Sequence, residues 1–128
     1  MKPKRRVLIV EDNADLRRLY AVGLNQRGYE VKLAANGAEA IDRIENERPD
    51  VIILDLVMPV MDGWEVIDRI NKGPAAAKSE IPVLVVSGYS ASPGRPVPSC
   101  VMGWLSKPAS LDEVVRKLSE IDSLRPAS

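Results

Sequence analysis

Val51-Ile52-Ile53-Leu54-Asp55 is the stretch on which the fold turns. Four branched apolar residues run without a polar interruption and stop on a carboxylate. The run is too short for a buried helix. It matches a strand covered on both faces, the situation of a parallel sheet sandwiched between helices. Working outward, the same pattern recurs in Val7 to Val10, followed by Glu11 and Asp12, and in Val83 to Val86, followed by Ser87. A weaker copy, Val101 to Leu105, precedes Lys107. Tyr29 to Leu33 alternates apolar with polar, as an edge strand does.

Helical patterns fill the gaps. Leu16, Leu19, Tyr20, Gly23 and Leu24 share one helix face, with Asn13 as the expected N-cap and Gly28 as the stop. Ile41 and Ile44 mark a helix after Asn36-Gly37. Trp64, Ile67 and Ile70 mark another, ending at Gly73-Pro74. The last carries Leu111, Val114, Val115, Leu118 and Ile121 behind a capping box of Ser110 and Glu113. Strands alternating with helices predict an α/β fold, a doubly wound parallel sheet with right-handed crossovers. Between Ser90 and Cys100, Pro93, Pro96 and Pro98 disfavour a regular helix, so the fourth crossover is expected to be irregular or missing.

The chain's 128 residues make one domain, with a core from about 6 to 121. A short basic N-terminal tail and a flexible C-terminal tail flank it. Eighteen basic and eighteen acidic residues cancel, which argues against electrostatic nucleic-acid binding by the whole domain. Histidine is absent and Cys100 is the one cysteine, excluding Ser-His-Asp and Cys-His chemistry, imidazole zinc sites and an internal disulfide. The Lys2-Pro3-Lys4-Arg5-Arg6 start is a solubilising tail rather than a signal peptide, because the apolar run behind it is too short. No stretch reaches the roughly 20 apolar residues of a membrane helix, and a cytoplasmic location is expected.

In a parallel sheet the residues that follow the strands gather at one edge, where ligands bind. That places Glu11, Asp12, Asp55, Ser87 and Lys107 together. Clustered carboxylates repel unless a cation relieves them, and an all-oxygen donor set points to a hard ion such as Mg²⁺. Lys107 and Ser87 add a positive centre and a hydroxyl for a phosphoryl group, and a carboxylate can itself accept that group.

Val10-Glu11-Asp12-Asn13, Leu54-Asp55, Met58-Pro59, Met61-Asp62-Gly63, Ser87-Gly88 and Lys107-Pro108 together resemble the signature of bacterial two-component response-regulator receiver domains. The resemblance spans about Arg6 to Ile121. It implies a five-stranded sheet in the flavodoxin-like order 2-1-3-4-5. It implies Asp55 as phosphoacceptor, loaded by a sensor histidine kinase or phosphotransfer protein. Asp12, Asp55 and the carbonyl of Val57 would hold Mg²⁺, with Glu11 acting mainly through a water. Ser87 and Lys107 would engage the phosphoryl oxygens, Trp104 would be the switch aromatic, and the Lys107–Pro108 bond would be cis. The downstream effector is not specified. Because the chain ends soon after its last helix, a receiver without an attached effector domain is expected, although one taken from a longer regulator would read identically.

Alternatives are a pseudo-receiver that binds partners without phosphorylation and an aspartyl-phosphate hydrolase. The hydrolase reading expects an aspartate where Val57 stands. A flavodoxin-like flavin binder is excluded by Glu11-Asp12, which would repel the flavin phosphate. Trp64 reads as packing, Asp62 as a turn or cap residue, and Cys100 as a small apolar residue.

Overall fold

The computed structural model describes residues 5–58, 60–70, 81–88 and 96–124. The expectations placed on Gly73-Pro74, on Pro93 and on the two chain ends lie outside these residues.

Among the described residues nine elements follow in order: β1 (Arg6–Val10), α1 (Ala14–Gln26), β2 (Glu30–Ala34), α2 (Gly37–Asn46), β3 (Val51–Leu54), α3 (Gly63–Ile70), β4 (Val83–Ser87), β5 (Val101–Ser106) and α4 (Leu111–Leu124). The five strands are parallel and lie in the order β2-β1-β3-β4-β5. The chain steps from β1 to β2 on one side and returns to place β3 on the other. The winding therefore reverses between β1 and β3, and Val10 pairs with Leu54 there. Their C-terminal ends, carrying Glu11, Asp12 and Asp55, open on this crevice.

Two apolar layers sandwich the sheet. Leu8, Val10, Ile52, Leu54, Val83 and Val85 face α2 and α3, and Val7, Ile9, Val51, Ile53, Leu84 and Val86 face α1 and α4. This is why β1, β3 and β4 read as unbroken apolar runs: each residue has a helix to meet whichever way it points. Leu118 and Ile121 of α4 are fully covered, each contributing on the order of 2 kcal/mol.

The helix ends follow from local chemistry. The N–H of Leu16 donates to Asn13 Oδ1 (2.9 Å), and that of Glu39 donates to Asn36 Oδ1 (2.9 Å). Ser110 and Glu113 form the reciprocal capping box, at 3.0 and 3.1 Å. The backbone hydrogen bond from Ser110 holds the Glu113 carboxyl below its usual range. Gly28 ends α1 with φ 92°, a conformation open to glycine.

Three readings need correction. Leu19, counted in the buried stripe of α1, is half exposed (52%), because the stripe settles on Tyr20, Gly23 and Leu24. Leu33, the last apolar residue of the alternating edge pattern, is exposed, while Ala34 beside it is buried. Tyr29 precedes the strand and anchors its entry, with its hydroxyl donating to Asp122 Oδ2 (3.1 Å). Between β4 and β5 the described residues 96–100 contain no helix, in line with an irregular fourth crossover.

The β4–β5 ladder carries an irregularity absent from the sequence reading. Val83 pairs with Val101 but Leu84 pairs with Gly103, so Met102 is an extra residue in β5. Such a bulge reverses the alternation of side chains beyond it. Val101 and Trp104, three positions apart, consequently pack in the same layer, that of α2 and α3.

Candidate functional site

Asp55 follows β3 and is nearly covered, as Glu11 is after β1 (5% and 3% exposed). The N–H of Asp55 donates to the carbonyl of Val10 (3.1 Å), so ladder pairing itself sets the two acids side by side. Asp12, one residue on, is exposed. Glu11, Asp12 and Asp55 each present a carboxylate oxygen within 4.8 Å of the others.

Lys107 extends from the end of β5 into this cluster. Its Nζ lies 2.7 Å from Glu11 Oε1 and 3.1 Å from Asp55 Oδ2. Its backbone N–H donates to the carbonyl of Ser87 (2.7 Å), tying the amine-bearing and hydroxyl-bearing strand ends together. The Lys107–Pro108 peptide is cis. Asp55 Oδ1 accepts from the N–H of Val57 (3.1 Å), and Glu11 Oε2 accepts from the N–H of Asn13 (3.0 Å). Ser87 is fully buried at the end of β4.

The electrostatics are those of an acid pair sharing one cation. Burial pushes the Glu11 carboxyl upward, and the hydrogen bond from Lys107 only partly reverses this. Burial also opposes the charge on Lys107, but hydrogen bonds to Glu11 and Asp55 outweigh it and raise its pKa. Lys107 therefore stays protonated at neutral pH. Both Glu11 oxygens are engaged by protein donors.

The loop after Asp55 is shaped by close packing. A Cβ on Gly63 would lie 2.6 Å from the Asp55 carbonyl oxygen, so α3 can begin this near the site only with glycine. Asp62 caps that helix, its Oδ1 accepting from the N–H of Glu65 (3.0 Å), as a cap residue should. Val57 is half exposed beside Asp55. Val60 adopts φ 71° with its side chain 83% exposed.

Trp104 is half-buried and Trp64 buried, with ring centroids 6.3 Å apart and planes tilted by 49°. Two supporting residues escaped the sequence reading. The Arg17 guanidinium donates to the Glu11 carbonyl (2.7 Å), and the buried Tyr20 hydroxyl donates to the Ala109 carbonyl (2.8 Å). The available signal was spacing: both lie on α1, within two to three turns of Glu11-Asp12.

A doubly wound sheet with acids at its switch point, and a hydroxyl and an amine at the neighbouring strand ends, defines a phosphoacceptor signalling domain. The chain belongs to the response regulator receiver domain family, whose model matches residues 7–119. It is 34% identical over 116 residues to the response regulator MprA of Mycobacterium sp. (strain KMS), covering 88% of this chain and 48% of that protein. It is 36% identical over 126 residues to the transcriptional regulatory protein PrrA of Mycobacterium leprae, covering 96% and 52%. The chain thus spans about half the length of the curated relatives it matches. Among solved structures, the chemotaxis response regulator CheY4 of Vibrio cholerae superposes with a TM-score of 0.78 at 31% identity, over 92% of this chain and 98% of that one. The response regulator TrrA of Thermotoga maritima, solved with Mg²⁺ and BeF, gives 0.78 at 27% identity, over 91% and 98%.

Proposed function

We propose that Asp55 accepts a phosphoryl group from a sensor histidine kinase or phosphotransfer protein and that the modified domain presents an altered surface to a downstream partner. The observation that carries this reading is Lys107, bonded to both Glu11 and Asp55 at the crevice where the winding reverses. A carboxylate oxygen of Asp55 attacks phosphorus, the O–P bond forms, and the P–N bond of the donor breaks with its electron pair left on the imidazole. Lys107 then moves its hydrogen bond from Asp55 to the phosphoryl oxygens, where its charge offsets the charge developing there. Ser87 donates its hydroxyl to the same group, and Trp104 repacks in response.

The donor set fits Mg²⁺. The three acids offer hard oxygen ligands, and against one lysine they leave two negative charges for a divalent ion to cancel. Asp12, Asp55 and the Val57 carbonyl would hold the ion, with Glu11 beside it; once bound it supplies charge neutralisation at the phosphoryl oxygens. The likeness to TrrA, whose structure was solved with Mg²⁺ and BeF, supports binding of that ion here.

The domain acts as an acceptor that assists its own phosphorylation and dephosphorylation. Apolar Val57 beside Asp55 and bulky Tyr89, two residues after Ser87 in sequence, would limit the approach of water, so the phosphorylated form is long-lived; rapid spontaneous loss of the group would refute this. We read residues 1–128 as one receiver domain, working in the cytoplasm through protein partners rather than by contacting nucleic acid or membrane. Among the described residues no helix is long and apolar enough to cross a membrane. Intact mass after incubation with acetyl phosphate tests the central claim. One phosphoryl adduct is expected, lost without Mg²⁺ and lost in Asp55→Asn. Adduct formation that survives Asp55→Asn would overturn the assignment.

A further inference from the structure

Trp64 was read from sequence as packing, but its neighbours give it a second part. It is the second residue of α3, and the residue before it, Gly63, lies directly against the Asp55 carbonyl and the Leu56 backbone. Any shift of the loop bearing Asp55 therefore moves the base of this indole. Its ring packs against Trp104, which sits three residues before Lys107. Ser87 and Val85 share a face of β4, because side chains alternate along a strand, and Val85 pairs with Trp104. The Met102 bulge aims Trp104 into that same layer. The Asp55 loop, through Gly63, and Ser87, through Val85 and Trp104, are thus both linked to one buried aromatic.

We propose that Trp64 is a positioning residue for the aromatic switch: a wall against which Trp104 rests in the unphosphorylated domain and from which it departs when Ser87 engages the phosphoryl group. Offset or tilted aromatic pairs have a preferred geometry, so the contact holds one Trp104 rotamer. Trp64 thereby links the loop that carries the modification to the strand that reports it. This inference rests on the phosphoacceptor reading above.

Two indoles this close couple electronically, and the coupling is readable by circular dichroism in the indole bands. The full chain would be treated with beryllium fluoride and Mg²⁺, and in parallel with acetyl phosphate while intact mass records the adduct. The wild type is expected to show a tryptophan couplet that diminishes as the adduct forms. Trp64→Phe and Trp104→Phe are each expected to lack the couplet from the start. Trp64→Phe should keep a phosphorylation-dependent change in Trp104 emission, and Trp64→Ala should lose it although the adduct still forms. A wild-type couplet unchanged at full adduct would overturn the inference while leaving Asp55 as acceptor. An unaltered Trp104 response in Trp64→Ala would do the same. Absence of any adduct in the wild type would remove both readings together.

Discussion

Val60→Gly isolates a single physical effect. Val60 is a β-branched residue at φ 71°, where its side chain crowds the backbone, and 83% of it is exposed, so truncation forfeits little buried area. The left-handed conformation costs a non-glycine residue about 1–2 kcal/mol. Glycine returns part of this, about 0.4–1 kcal/mol, by widening the unfolded ensemble. The balance is a stabilisation of about 1 kcal/mol, equivalent to a rise of roughly 3–5 °C in Tm for a chain of this size. Urea unfolding followed by tryptophan emission would show a higher midpoint with an unchanged slope. Val60→Ala, which keeps a Cβ in the left-handed conformation and loses only two solvated methyl groups, should stay within about 0.5 kcal/mol of wild type. A Val60→Gly protein no more stable than wild type would refute the reasoning, since no lost contact is available to mask the gain.

Lys107→Met leaves Glu11 and Asp55 without their shared cation; we expect the adduct with acetyl phosphate to form far more slowly and stability at pH 7 to fall by about 1–3 kcal/mol, the partial exposure of Lys107 keeping this below the fully buried case. Mg²⁺ should raise the Tm of the wild type by linkage, about 2.7 kcal/mol at a hundredfold excess over Kd, and thermal melts of Asp12→Asn should show a smaller rise. Burial, reinforced by the Asp122 charge, pushes the Tyr29 hydroxyl from 10.0 up to about 12. A raised folded pKa means the native state binds the proton more tightly, so this contribution is complete below pH 10 and is lost as pH rises towards 12. Unfolding free energy should therefore drop by about 2–3 kcal/mol across that window, and Tyr29→Phe should flatten the profile.

The strands were legible because a residue covered on both faces has few chemical options, and Val7–Val10, Val51–Leu54 and Val83–Val86 use them without exception. The cluster of Glu11, Asp12, Asp55, Ser87 and Lys107 was legible for a topological reason: once the strands are parallel, whatever follows them must meet. Three features were not. The Met102 bulge leaves no trace in composition, since Val101 to Leu105 is apolar in either register. The pairing of Lys107 with both Glu11 and Asp55 depends on side-chain reach across the crevice, which spacing does not encode. Leu19 failed because a helical stripe read from one helix cannot know how its neighbours pack against it: Tyr20 and Leu24 enter the buried layer and Leu19 does not.

The bulge at Met102 makes the domain unequally tolerant of two kinds of genetic change. Deletion of a residue from a regular strand turns over every side chain beyond it, whereas deletion of Met102 would leave Val101 opposite Val83, Gly103 opposite Leu84 and Trp104 on the face it already occupies. The acids, the lysine and the serine would all remain, and phosphate could still be accepted. Trp104 would stay beside Val85 as well, so one missing codon at this place would yield a receiver still written to and still read, while the same loss within β4 would invert the residues that lead to Ser87.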